Sequence, residues 1–269
     1  MHDGDSKHDG VPVSTRLADS AGRPWAGRHF EEVDPAVAED DGSAPEGLSS
    51  ALDRFRAGQT DAVEVVDALR ECRLLVPLVA QLGESGVNEH GVVVDKSAEL
   101  SIVTVAGPDG RNVMPVFGSV EAMQRWNPMA RPVPVDAVRV ALAAADEGTD
   151  LVVLDPTSPS EFVVRRPALW AIAQSLPWVP SHSDPEVVAE FEASIASEPL
   201  VAQLVLSQGD PDARLLGPEL VVTLTLAPGL DQATLDALLA RVQQRWASST
   251  TIAERVDSLA VKLRPTPAG

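Results

Sequence analysis

The stretch Asn112–Pro128, NVMPVFGSVEAMQRWNP, turns from an apolar run into a helix-forming one, and Ser119 stands at the turn. Two readings compete for that serine. A nucleophile elbow needs Gly-x-Ser-x-Gly, because small residues must flank the strained turn that lifts the hydroxyl. Here Phe117 and Glu121 occupy the flanking positions, and the motif fails. A helix cap fits better: Ser119 accepts from the backbone N–H of Glu121 or Ala122, and Glu121 suits the positive end of the helix. The stretch is therefore read as a strand running into a capped helix, and no hydrolase is expected on it.

Upstream, "GPDG" at 107–110 is a turn that joins "AELSIVTVAG" to "RNVMPVF". "RLLVPLVAQL" reads as a further strand, so an antiparallel trio is expected. "GESGVNEHGVVVDKS", between the first two strands, reads as a loop. Before the trio, Leu48, Leu52 and Phe55 recur at helical spacing and Gly58 follows as a stop. Thr60 is the expected cap of a second helix, with Val63, Val66 and Leu69 on its buried face.

Downstream, "ARPVPVDAVRVALAAADEG" reads as a helix on Val135, Val138 and Leu142, ended by Gly148. "DLVVLDP" and "EFVVRR" form a hairpin across "PTSPS". Pro167 then opens a helix faced by Leu169, Ile172 and Leu176. "LPWVPSHSDPE" breaks the pattern with closely spaced prolines, and a domain boundary is expected there. Asp184–Pro185 is a cap followed by an N1 proline, with Val187, Phe191 and Ile195 as the buried stripe. "PLVAQLVLS" and "ELVVTLTLAPG" are strands around the turn "QGDPDA". "ATLDALLARVQQRW" is a helix capped by Asp231, and "VDSLAVKL" is a last strand.

The fold class that follows is α+β: two small mixed domains, each an antiparallel or mixed sheet packed by helices. They are expected over residues 48–180 and 184–269, behind a polar arm at residues 1–47. Low hydrophobicity and high charge make the arm extended or disordered. Within it "AGRPWAGRHF" sets Trp25 and Phe30 beside Arg23 and Arg28, a segment suited to docking on the body of the protein or on a partner.

Charge and composition narrow the function. At 269 residues and 44% hydrophobic, the chain is long enough for real cores. A net charge of −19 repels phosphate backbones and anionic membranes, so no nucleic-acid or membrane partner is expected. No apolar run reaches the length of a membrane helix. The opening "MHDGDSKHDG" lacks a secretory pattern and Cys72 is the single cysteine, so a cytoplasmic location is expected.

Chemical motifs are sparse. No P-loop, GxGxxG turn or HExxH spacing occurs, so neither a cofactor nor a metal is expected. Cys72 reads as a buried structural thiol. Trp126 and Trp170 read as core or interface plugs, and Trp178 as a pin between the two domains. Arg165 and Arg166 precede a helix N-terminus and are candidate anion contacts, with pairing to nearby acids as the simpler alternative.

Taken in order, "RPWAGRHF" with "EDDGSAPEGL", "MPVFGSVEAMQRW" and "LVVLDP…EFVVRRPALWAIAQ" resemble the SseB family, the enhanced-serine-sensitivity type, and its actinobacterial members in particular. The resemblance implies an SseB-like N-terminal region over about 48–180 and an SseB-like C-terminal domain over about 184–269. It implies no catalytic residues. The expectation is a non-enzymatic interaction or regulatory protein with a protein partner. The alternative is a sensor holding an anionic metabolite or amino acid between its domains.

Overall fold

A computed structural model of the chain describes residues 41–80, 86–87, 93–94, 100–146, 148–149 and 151–266. The arm segment holding Arg23, Trp25, Arg28 and Phe30, and His90 in the expected loop, lie outside these residues. The chain divides after Asp40 into two units, and residues 41–269 are one of them.

Helix α1 (Glu46–Arg56) buries Leu48, Ala51 and Leu52, and Phe55 packs edge-on against Phe162 at 5.3 Å. Gly58, at φ +66°, follows the helix as the expected stop, in a left-handed conformation that glycine adopts without strain. Helix α2 (Ala62–Arg70) is capped by Asp61, which accepts from Val63 N at 2.9 Å. Thr60 donates to Glu64 instead, and the buried face is Ala62, Val65, Val66 and Leu69.

Strand β1 (Arg73–Ala80) follows, then the short pair β2 (Gly86–Val87) and β3 (Val93–Val94) inside the expected loop. The next expected strand is two strands, β4 (Leu100–Ile102) and β5 (Val105–Ala106). β4 pairs with β1, whereas β5 pairs across the GPDG turn with β6 (Asn112–Val116). The trio is thereby split between two sheets, which meet where Leu75 and Phe117 exchange backbone hydrogen bonds of 2.8 and 2.9 Å.

Ser119 caps helix α3 (Val120–Trp126), accepting from Ala122 N at 3.1 Å. The helix plants Met123 in a small cluster with Leu75, Phe117 and Ala130, and Trp126 packs on Phe117 at 5.3 Å.

The segment after α3 corrects the sequence reading. Residues Arg131–Asp136 form strand β7, paired antiparallel with β1. β7 is an edge of its three-stranded sheet, and that is where Pro132 and Pro134 can stand without breaking a ladder. Helix α4 (Ala137–Asp146) begins only then, and buries Ala137, Val140, Ala141 and Ala144. Leu142 is half exposed.

Strands β8 (Val152–Leu154) and β9 (Phe162–Val164) make the expected hairpin, and β8 lies parallel to β6. Helix α5 (Arg166–Ala173) buries Leu169 and Ile172, but Leu176 lies beyond its end and is exposed. Helices α1, α2, α4 and α5 with strands β1, β6, β8 and β9 enclose the first core.

Asp184 caps helix α6 (Pro185–Ile195) by accepting from Glu186 N at 2.9 Å. Strands β10 (Val201–Gln208) and β11 (Leu220–Leu226) are antiparallel. Helix α7 (Gln232–Ser248), capped by Asp231, and the short α8 (Thr250–Arg255) lead to β12 (Leu259–Pro265), parallel to β11. The second core is formed by Val187 and Phe191 of α6, Leu220, Val222 and Leu224 of β11, and Leu238, Val242 and Trp246 of α7.

The β10–β11 connection is longer than the expected turn. It crosses to the first core, where Val163 N donates to Ala213 O at 2.8 Å. Ala213 joins that core, and Leu215 closes a cluster with Val113, Leu151, Val153 and Val163 on the other face of the β6–β8–β9 strands. This connection stitches the two cores together within the one compact unit of residues 41–269.

Candidate functional site

Charge is concentrated where the two cores meet. Arg165, held at the start of α5 by the end of β9, is 8% exposed. Its guanidinium donates to Asp210 Oδ2 at 2.6 Å, Gly217 O at 2.9 Å, Asp257 Oδ2 at 2.9 Å and Ser258 Oγ at 3.2 Å. Arg111, from the GPDG turn, meets the same Asp257 through both carboxylate oxygens at 2.9 and 3.0 Å. Burial alone would raise the Asp257 pKa, but the hydrogen bonds and charge of Arg111 and Arg165 outweigh it and hold the carboxyl low. Asp257 raises Arg111 in return. Asp210 also fixes the crossing connection by accepting from Leu215 N at 2.8 Å.

Arg166 is engaged as well. It donates to Ala253 O and Val256 O at 2.8 Å each and lies over the Trp170 ring at 5.4 Å. Trp170 is 40% exposed, so it covers an arginine rather than plugging a core. The two candidate anion contacts thus bind one core's elements to the other's.

Beside this joint lies a cavity of about 50 Å³. Val66, Phe162 and Ala168 supply apolar wall, and Trp178, Ser181 and Glu219 supply polar wall. Trp178 packs against the first core. Its Nε1, together with Ser181 Oγ and Glu219 Oε1, is buried without a hydrogen-bond partner among the described residues. Glu219 Oε2 is engaged, accepting from Asp257 N at 2.5 Å. Burial pushes the Glu219 carboxyl up. Ser181 is near enough to oppose that shift while standing outside hydrogen-bond geometry. His182 also lines the cavity, and burial pulls its pKa down.

A second surface lies on the β10–β11–β12 sheet. Helices cover the side bearing Leu220, Val222 and Leu224. The register puts Gln203, Thr225 and Arg264 in one row of the opposite side, and Val205, Thr223 and Lys262 in the next. Gln203, Val205, Lys262 and Arg264 are exposed.

The remaining sequence candidates have structural partners. Asp155, at φ +46°, accepts from Gly118 N and Ser160 Oγ at 2.9 Å each and holds the turn before Ser119. Burial raises its pKa. Cys72 is half buried, and burial raises its thiol. Among the described residues no cluster of His, Cys, Asp or Glu is placed to hold a metal, and no helix is long and apolar enough to cross a membrane.

Arg165 was accessible to sequence reasoning through its place before a helix, but Asp210, Ser181, Glu219 and Asp257 carried no local signal. Only Trp178, singled out for its place among prolines, pointed toward the cavity.

These features define an α+β protein whose two cores are joined by buried ion pairs over a small cavity. Residues 48–171 match the family model described as the SseB protein N-terminal domain, so that segment is similar to the SseB family. Searches of curated proteins and of solved structures return no match.

Proposed function

We propose that the chain is a non-enzymatic regulatory protein that acts by binding a protein partner, with residues 184–269 as an SseB-like C-terminal domain that carries the docking face. The uncovered side of the β10–β11–β12 sheet supports this reading. Sheets that leave one side and an edge strand open accept extended segments from other chains. β12 is such an edge, paired with β11 alone among the described residues. Its Lys262 and Arg264 form a basic strip on a chain of net charge −19. The partner segment that fits is extended and acidic, and salt should weaken its binding. The arm segment with Arg23, Trp25, Arg28 and Phe30 is a second recognition element in this reading. A cytoplasmic setting fits both.

The test is affinity capture from native lysate with three baits: the full chain, a variant lacking residues 1–40, and the double variant Lys262→Glu, Arg264→Glu. A partner lost on charge reversal supports the sheet face. A partner lost only with residues 1–40 moves recognition to the arm. No specific partner with any bait removes the reading. The alternative of an anionic metabolite between the cores is less well supported, because Arg165 and Arg166 already have protein acceptors.

A further inference from the structure

The cavity beside the joint is a different kind of surface from the sheet face, and its unmatched groups specify a ligand. Ser181 is 1% exposed and its hydroxyl has no partner among the described residues. Glu219 Oε1 and Trp178 Nε1 are in the same condition in the same cavity wall. Unmatched buried polar atoms destabilise a fold, and three in one cavity call for an occupant that satisfies them. Trp178 offers a donor alone, the neutral Glu219 carboxyl both a carbonyl acceptor and an O–H donor, and Ser181 either. The occupant must therefore carry donor and acceptor together.

Its charge follows from the surroundings. Arg165 is matched by Asp210 and Asp257, so its charge is not left over for an anion. An anion would also face the Asp210 carboxylate, which lines the same cavity. A cation would require full ionisation of Glu219 next to Asp257, which burial opposes. A volume of about 50 Å³ holds roughly four water-sized atoms. We infer that this cavity is a binding site for a small uncharged solute of primary-amide type, its N–H groups directed to Glu219 and Ser181 and its carbonyl to Trp178.

Acetamide, acetate and acetamidinium share one shape and differ in charge, so they test the inference on the full-length protein. The readouts are the indole N–H resonance of Trp178, identified by its loss in Trp178→Phe, and the melting temperature. Acetamide is expected to shift the resonance saturably in the millimolar range and to raise Tm, as suits so small a ligand. Acetate and acetamidinium should bind at least about tenfold more weakly. Ser181→Ala removes one hydroxyl without changing the backbone and should weaken acetamide about tenfold. Ala168→Leu should abolish the shift by filling the cavity. If that variant does not fold, Ser181→Ala carries the control alone. Equal or tighter binding of either charged isostere overturns the charge argument, and an unchanged affinity in Ser181→Ala overturns the placement. No saturable shift with any of the three means the cavity holds water only and overturns the inference. None of these outcomes bears on the sheet face.

Discussion

Asp257 and Glu219 are carboxylates on neighbouring segments of one joint, yet the joint treats them oppositely. Asp257 receives both terminal nitrogens of Arg111, one from Arg165 and the Ser258 hydroxyl, and its side chain is 1% exposed. Glu219 receives the Asp257 backbone N–H on one oxygen and nothing from the described residues on the other. Where the cores are locked, buried charge is matched in full. Where the cavity lies, a carboxyl oxygen is left without a hydrogen-bond partner among the described residues. A buried charge is tolerable in proportion to its partners, so the first arrangement holds the cores together and the second leaves a place for a ligand.

The contrast is attacked most severely by Asp257→Ala. This variant strands Arg111 and Arg165 without their shared acceptor and should cost about 3–5 kcal/mol, read from urea unfolding of the full chain. A cost below about 1 kcal/mol would show that the joint does not depend on the ion pairs.

Titration separates the two carboxylates next. The Asp257 pKa is lowered from its ordinary 3.8, so its contribution is present above that value and is lost as pH falls below it. The Glu219 pKa is raised from 4.5, so the folded state holds the proton more tightly than the unfolded state. Its contribution is full below 4.5 and is lost as pH rises from there through the folded value. Glu219→Gln should therefore gain stability relative to the wild type as pH goes from about 4 to about 7, measured as urea midpoints across that range. An unchanged difference would show that Glu219 is already well solvated.

Least is expected to change at a site remote from the joint. Ser119→Ala removes a partly buried cap and should cost about 1 kcal/mol in urea unfolding, with both carboxylates titrating as before. A shift in either titration would tie the cap to the joint.

Much of the fold was legible because its signals are local. Ser119, Asp184 and Asp231 each stand just before a helix and accept from its first turn, and the hairpin of residues 152–164 is bracketed by turn residues. Strand β7 was illegible because Pro132 and Pro134 argue against a strand unless it is known to lie at an edge, and its valines run into a helix at Ala137. The crossing connection was mistaken for a turn because Asp210, Pro211 and Asp212 look like one; Ala213 and Leu215, at φ +48° and +60°, carry it onward.

Caps, hairpins, alternating stripes and the acid excess came from sequence alone, since each depends on neighbours within a few positions or on composition. The family resemblance came from the same source, and the N-terminal match supports it. Which acids Arg165 meets was decided by tertiary structure, because Asp210 and Asp257 lie 45 and 92 positions away. So was the gathering of Trp178, Ser181 and Glu219 around one cavity. Burial and hydrogen bonding across such distances depend on how cores pack, and packing leaves no mark in the local order of residues.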